Sequence, residues 1–95
     1  MSEYLLKVEQ LRNRLNESNG NFKKILVKYP TISKKSSSAI ENIVEVSSKY
    51  VSALSKFLET KIDDTQINEE EKNKIKGIFD YYKGMERILS NYDIT

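Results

Sequence analysis

The sequence has no cysteine, no histidine and no tryptophan, and only one proline and three glycines among its 95 residues. Without cysteine there is no disulfide, no thiol nucleophile and no thiolate metal site. Without histidine the commonest general base and the usual ligand of zinc, copper and iron are gone, which leaves only oxygen ligands for a hard cation. No apolar run approaches the roughly 20 residues that a membrane span needs, and the opening MSEYLLKVEQLRNRL has no apolar stretch of signal-peptide length. These absences set the expectation of a non-enzymatic, cytoplasmic protein with no cofactor, no metal, no membrane and no small-molecule substrate. Leaderless secretion is the alternative location.

What is present is a chain with 38% hydrophobic and 32% charged residues, the balance of one charge-covered helical domain over residues 1–95. Tyr4, Val8, Leu11 and Leu15 recur at alternating steps of four and three, which places them on one helix face. The stretch NESNGNF then interrupts with a turn signal around Asn19-Gly20. Yet Phe22, Ile25, Leu26 and Tyr29 resume within about 60° of the same direction at 100° per residue. A loop has no reason to keep that phase, whereas a continuous helix must. The interior Gly and the three Asn cost roughly 2 to 3 kcal/mol in propensity; burying Phe22, Ile25 and Leu26, at about 1.5 to 3 kcal/mol each, more than offsets this. The spacing predicts helix 1 over about 2–29, ended by Pro30.

Ser38-Ala39-Ile40-Glu41 has the form of a capping box, so helix 2 is expected over about 37–62. Its apolar set, Ile40, Ile43, Val44, Tyr50, Val51, Leu54, Phe57, Leu58 and Ile62, makes a stripe about 160° wide, enough for two neighbours. Asn68 with Glu71 three residues on reads as the start of helix 3, over about 68–92 and ending near Asp93. Ile75, Ile78, Phe79, Tyr82, Met85, Leu89 and Tyr92 form its apolar line. Three helices of about 25 residues, roughly 38 Å each, match in length only if helix 1 is unbroken. The expected fold is therefore all-α, an antiparallel three-helix bundle with coiled-coil-like heptads; the alternative is four helices with a break at Asn19-Gly20.

Motifs for chemistry are few. The acidic stretch DDTQINEEE fails the EF-hand pattern, because the fifth and sixth positions counted from Asp63 are Ile67 and Asn68. No phosphate-binding glycine loop, H-E-x-x-H or G-x-S-x-G occurs. Tyr82-Lys83-Gly84-Met85-Glu86 has the Tyr-x-x-x-acid form found in leaderless helical proteins of the type VII secretion class. The Trp-x-Gly turn of that class is missing and Tyr82 belongs to the core line, so no family is assigned.

Two surfaces stand out. Residues 1–35 hold eight basic and three acidic side chains, against eight and eleven in residues 36–95. In an up-down-up bundle Lys23, Lys24, Lys28, Lys34 and Lys35, with Arg87, collect at one end, a tip that could meet phosphate. That tip lacks interleaved aromatics or a base-reading arginine, so nucleic acid is the less favoured partner. On helix 3, Gly77 and Gly84 lie one heptad apart and form a second stripe with Tyr81 and Ile88. Two exposed glycines cost about 2 kcal/mol together with no local gain, which makes Gly77, Tyr81, Gly84 and Ile88 the candidate partner-binding face. The function expected is a small protein-protein interaction module, whether adaptor, small chaperone, inhibitor or self-assembling subunit, engaging another protein or a second copy of itself. A nucleic-acid-associated protein and a leaderless secreted helical protein are the alternatives.

Overall fold

A computed structural model of the chain describes residues 2–92. Three α-helices, α1 (Glu3–Lys28), α2 (Lys34–Thr60) and α3 (Glu69–Leu89), pack as a three-helix bundle, with a short 3-10 turn at Asp64–Gln66 before α3. Cross-helix contacts fix the directions. Tyr4 meets Lys72 at one end of α1 and Tyr29 meets Tyr92 at the other, so α1 and α3 run parallel. Tyr50 meets Tyr81 and Lys61 meets Glu71, so α2 runs against both.

α1 is one continuous helix of 26 residues, capped by Ser2, whose hydroxyl accepts from the Leu5 N–H. Gly20 does not have positive φ, and no described residue does. The four-helix alternative is thus excluded, and the apolar phase carried through Asn19-Gly20 as a continuous helix requires. Tyr29, immediately before the proline, leaves the helix at φ −118° and ψ 68°, outside the α region that a following proline disfavours. Leu5, Val8, Leu11, Leu15, Phe22 and Ile25 are all buried on α1.

The gap in that apolar series is filled by Ser18 and Asn19, both buried. They are not loosened loop residues but a polar layer halfway along the bundle. The Ser47 hydroxyl of α2 donates to Asn19 Oδ1 at 2.7 Å, and Asn19 Nδ2 donates to the Ser48 hydroxyl at 3.1 Å. On the other side the Ser18 hydroxyl donates to the Glu86 carboxylate of α3. Every buried side-chain polar atom among the described residues has a partner, which is what makes such a layer tolerable inside an apolar core.

α2 begins earlier than its sequence implies. Ser33, not Ser38, is the N-cap, with its hydroxyl accepting from the Ser36 N–H at 3.1 Å. A reversal needs only the residues between Lys28 and Lys34, where the Ile32 N–H bonds to the Tyr29 carbonyl at 3.2 Å. Each further residue gains a helical hydrogen bond by joining α2. At the far end α2 stops at Thr60, and Ile62 is 79% exposed rather than in the core. Ile67, beyond the 3-10 turn, is buried in the core's lower edge instead. The capping box at Asn68 and Glu71 is present as expected. α3 ends at Leu89, shorter than its expected span; tight turn bonds then bring Tyr92 against Tyr29, with ring centroids 5.9 Å apart. Asp93, the expected terminus of helix 3, lies outside the described residues.

Neighbouring residues 19 and 20 should respond to alanine with opposite signs. A Cβ at Gly20 would meet nothing within 4 Å, so Gly20→Ala should stabilise by about 0.5 to 1 kcal/mol. Asn19→Ala removes both side-chain bonds from α1 to α2 and leaves a gap beside buried Ser47, and should destabilise by about 1 to 3 kcal/mol. Urea unfolding midpoints at constant m-value check both.

Candidate functional site

α1 is the helix on which both others pack, and α2 and α3 approach each other less closely than either approaches α1. This leaves a groove between α2 and α3. It is lined by Ala53, Leu54 and Phe57 of α2 and by Glu71, Lys74, Ile75 and Ile78 of α3, with a volume of ≈ 230 Å³. The groove exists because the apolar stripe of α2 is wider than its seam with α1. Ile40, Ser47 and Leu54, one heptad apart, are its only fully buried residues, while Tyr50 and Phe57 are half-buried.

The predicted partner stripe flanks this groove. Taking 100° per residue, Tyr81, Ile88, Gly77 and Gly84 fall 60° to 120° from Ile78 on the side of α3 that faces α2. Gly77 is exposed, Gly84 half-exposed and Ile88 39% exposed. Neither glycine is required by the chain's own packing, since a Cβ at either would meet nothing within 4 Å. Tyr81, expected on the same partner-binding stripe, is half-buried. Its ring stands edge-on to Tyr50 at 5.2 Å and 74°, and burial pushes its hydroxyl pKa up. The Tyr50–Tyr81 pair bridges the two helices outside the lining of the groove.

The mouth of the groove is set by a polar clamp. The Lys61 ammonium meets Glu71 at 3.2 Å and donates to the Gln66 carbonyl at 3.0 Å. The hydrogen bond from the Asn68 backbone N–H holds the Glu71 carboxyl below its ordinary value, helped by Lys61. Asp63, accepting from the Thr65 hydroxyl and N–H, is likewise held below the usual carboxylate range.

Lys23, Lys24, Lys28, Lys34 and Lys35 are all exposed, on the last turns of α1 and the first turn of α2. Lys34 and Lys35, expected in the link, instead occupy the first turn of α2, which has no acidic residue. The helix dipole favours Lys28 at the end of α1 but not these two. Sequence reasoning missed a second groove altogether, between α1 and α3, because it assigned Phe79 to the core. Phe79 is 38% exposed. That groove of ≈ 300 Å³ is lined by Tyr4, Val8, Ile75 and Phe79, with Lys7, Lys72 and Lys76 at its edges.

Among the described residues no helix is long and apolar enough to cross a membrane, and no group of three or more acidic side chains is placed to hold a metal ion. No family model matches the sequence, and no curated protein or solved structure shows significant similarity to it.

Because the Glu71 pKa is lowered in the folded chain, its contribution to stability is present above the ordinary glutamate value of 4.5 and lost as pH falls through the lower folded value. Glu71→Gln should therefore lower the thermal midpoint at neutral pH and flatten its decline on acidification. Melting curves of both proteins across the acid range test this.

Proposed function

We propose that the protein is a small protein-binding module of the cytoplasm, acting as an adaptor, small chaperone, inhibitor or self-assembling subunit rather than as an enzyme. Its docking face in this reading is the α2–α3 groove together with Gly77, Tyr81, Gly84 and Ile88. The observation that carries it is the open seam: Phe57, Ile75 and Ile78 line a groove that no element of the chain's own described residues covers. A helix laid over that seam would extend the bundle by one member, and the two glycines would let its backbone come close. Glycine at these positions costs about 1 kcal/mol each in an isolated helix, a cost that close approach of a partner offsets.

The absence of cysteine and histidine supports a binding role over a catalytic one. The nucleic-acid alternative would rest on the tip lysines, among which no described aromatic is exposed.

A photo-reactive residue at position 53 or 84 should cross-link in cells to a protein, whether a different chain or a second copy, and one at exposed position 45 should not. Gly84→Lys should reduce that cross-linking at position 53 by at least tenfold while leaving the helical signal intact. Equal labelling from positions 45, 53 and 84 would remove this reading.

A further inference from the structure

The α1–α3 groove has a chemistry different from that of the α2–α3 seam. Its floor is apolar, formed by Tyr4, Val8, Ile75 and Phe79, and its lining includes Lys7, Lys72 and Lys76. The cations continue along both walls. On α3, Lys72, Lys76 and Lys83 flank Phe79 within about 60° of one another; on α1, Lys7 and Arg14 are one heptad apart on the side facing α3. Arg14 lies close enough to Tyr82 to pull its pKa down against the larger effect of burial. Among the described residues none of these five cations is in an ion pair. Lys72 lies over the Tyr4 ring at 5.6 Å and Lys83 over the Phe79 ring at 4.6 Å.

By helical spacing Glu3 is one turn from Lys7, and exposed Asp80 is one turn from both Lys76 and Lys83, so the rim is cation-rich rather than free of carboxylates. Asp64 and Glu69 are near the Tyr4 hydroxyl, while Glu17 and Glu86 are near that of Tyr82. Glu86 is already engaged by the Ser18 hydroxyl. The trough between the helices is apolar, and its walls carry more cations, Lys7, Arg14, Lys72, Lys76 and Lys83, than carboxylates.

The geometry points to a docking site for an acidic amphipathic helix of a partner protein. The trough runs between two parallel helices, so a helix lying in it meets contacts that repeat at the heptad rise of about 10.5 Å. Lys7 and Arg14 are separated by that interval, as are Lys76 and Lys83. Leucine-type side chains on one face would fill the floor while heptad-spaced carboxylates meet the two walls. A nucleic acid fits less well: the faces of Tyr4 and Phe79 are covered by ammonium groups rather than open to stacking, and phosphates would leave the apolar floor unused. This site is on a different face from the α2–α3 seam and does not depend on it.

The test uses a 21-residue peptide with Leu at the a and d positions and Glu at e and g, followed by fluorescence anisotropy and by chemical-shift mapping on the full chain. Binding should shift the resonances of Tyr4, Val8 and Phe79 and leave Ala53 and Gly84 in place. Lys76→Glu with Lys83→Glu should weaken it at least tenfold, and Phe79→Ser should weaken it several-fold. Lys23→Glu with Lys24→Glu, the same change in charge at the tip, should alter it less than twofold. A scrambled peptide of equal composition should bind at least tenfold more weakly. The inference is overturned if the scrambled peptide binds equally, if the tip and rim variants weaken binding alike, or if a single-stranded oligonucleotide binds more tightly with the same rim dependence and none on Phe79. Loss here with cross-linking at positions 53 and 84 intact would remove the lysine-walled site and leave the α2–α3 reading standing.

Discussion

The bundle depends on α1 staying helical across a stretch that locally resists it. Gly20 and the asparagines around it weaken the middle of the helix, and what holds them is tertiary: Asn19 joined to Ser47 and Ser48 of α2, and Ser18 joined to Glu86 of α3. These bonds also set register. A slip of α2 by one heptad would bring Ile40 or Leu54 to the level of Asn19, leaving a buried amide without partners at a cost of several kcal/mol. The apolar repeat alone tolerates such a slip, because each heptad resembles the next.

A central helix satisfied on two sides determines what is left open. α1 carries most of the buried side chains, and α2 and α3 are held to it more closely than to each other. Each outer helix consequently keeps apolar residues that only half find cover: Tyr50 and Phe57 on α2, Ile75 and Tyr81 on α3. Two grooves result from the same cause. One is lined mainly by Leu54, Phe57, Ile75 and Ile78, the other is edged by Lys7, Lys72 and Lys76, so a single bundle offers two chemically distinct faces.

Most of the fold is legible in the sequence because it follows from phase. The three-four phase carries from Tyr4 to Tyr29 with the apolar series interrupted only at Ser18, and the Asn68–Glu71 capping box is explicit. What phase does not report is competition between equivalent local signals. Ser33 and Ser38 are both competent caps, and the choice falls to the shorter reversal. Ile62 and Ile67 are both apolar residues near a helix end, and the Lys61 clamp turns the chain so that Ile67 goes inward. The candidate site was legible in part. The two glycines and Ile88 lie on the surface that their spacing implies, but Tyr81 is engaged by Tyr50, a contact between residues 31 positions apart. The lysine-walled groove was hidden because Ile78 and Phe79 are adjacent and thus about 100° apart on the helix, so both cannot face the core centrally.

The most direct test of the account is native-state hydrogen exchange at the backbone amides of residues 18–22. If the polar layer locks α1 as one helix, these amides should exchange only through global unfolding, with the same protection free energy and denaturant dependence as those of Leu11 and Leu15. Exchange at these positions through a local opening several kcal/mol cheaper than global unfolding, with Leu11 and Leu15 still fully protected, would contradict it.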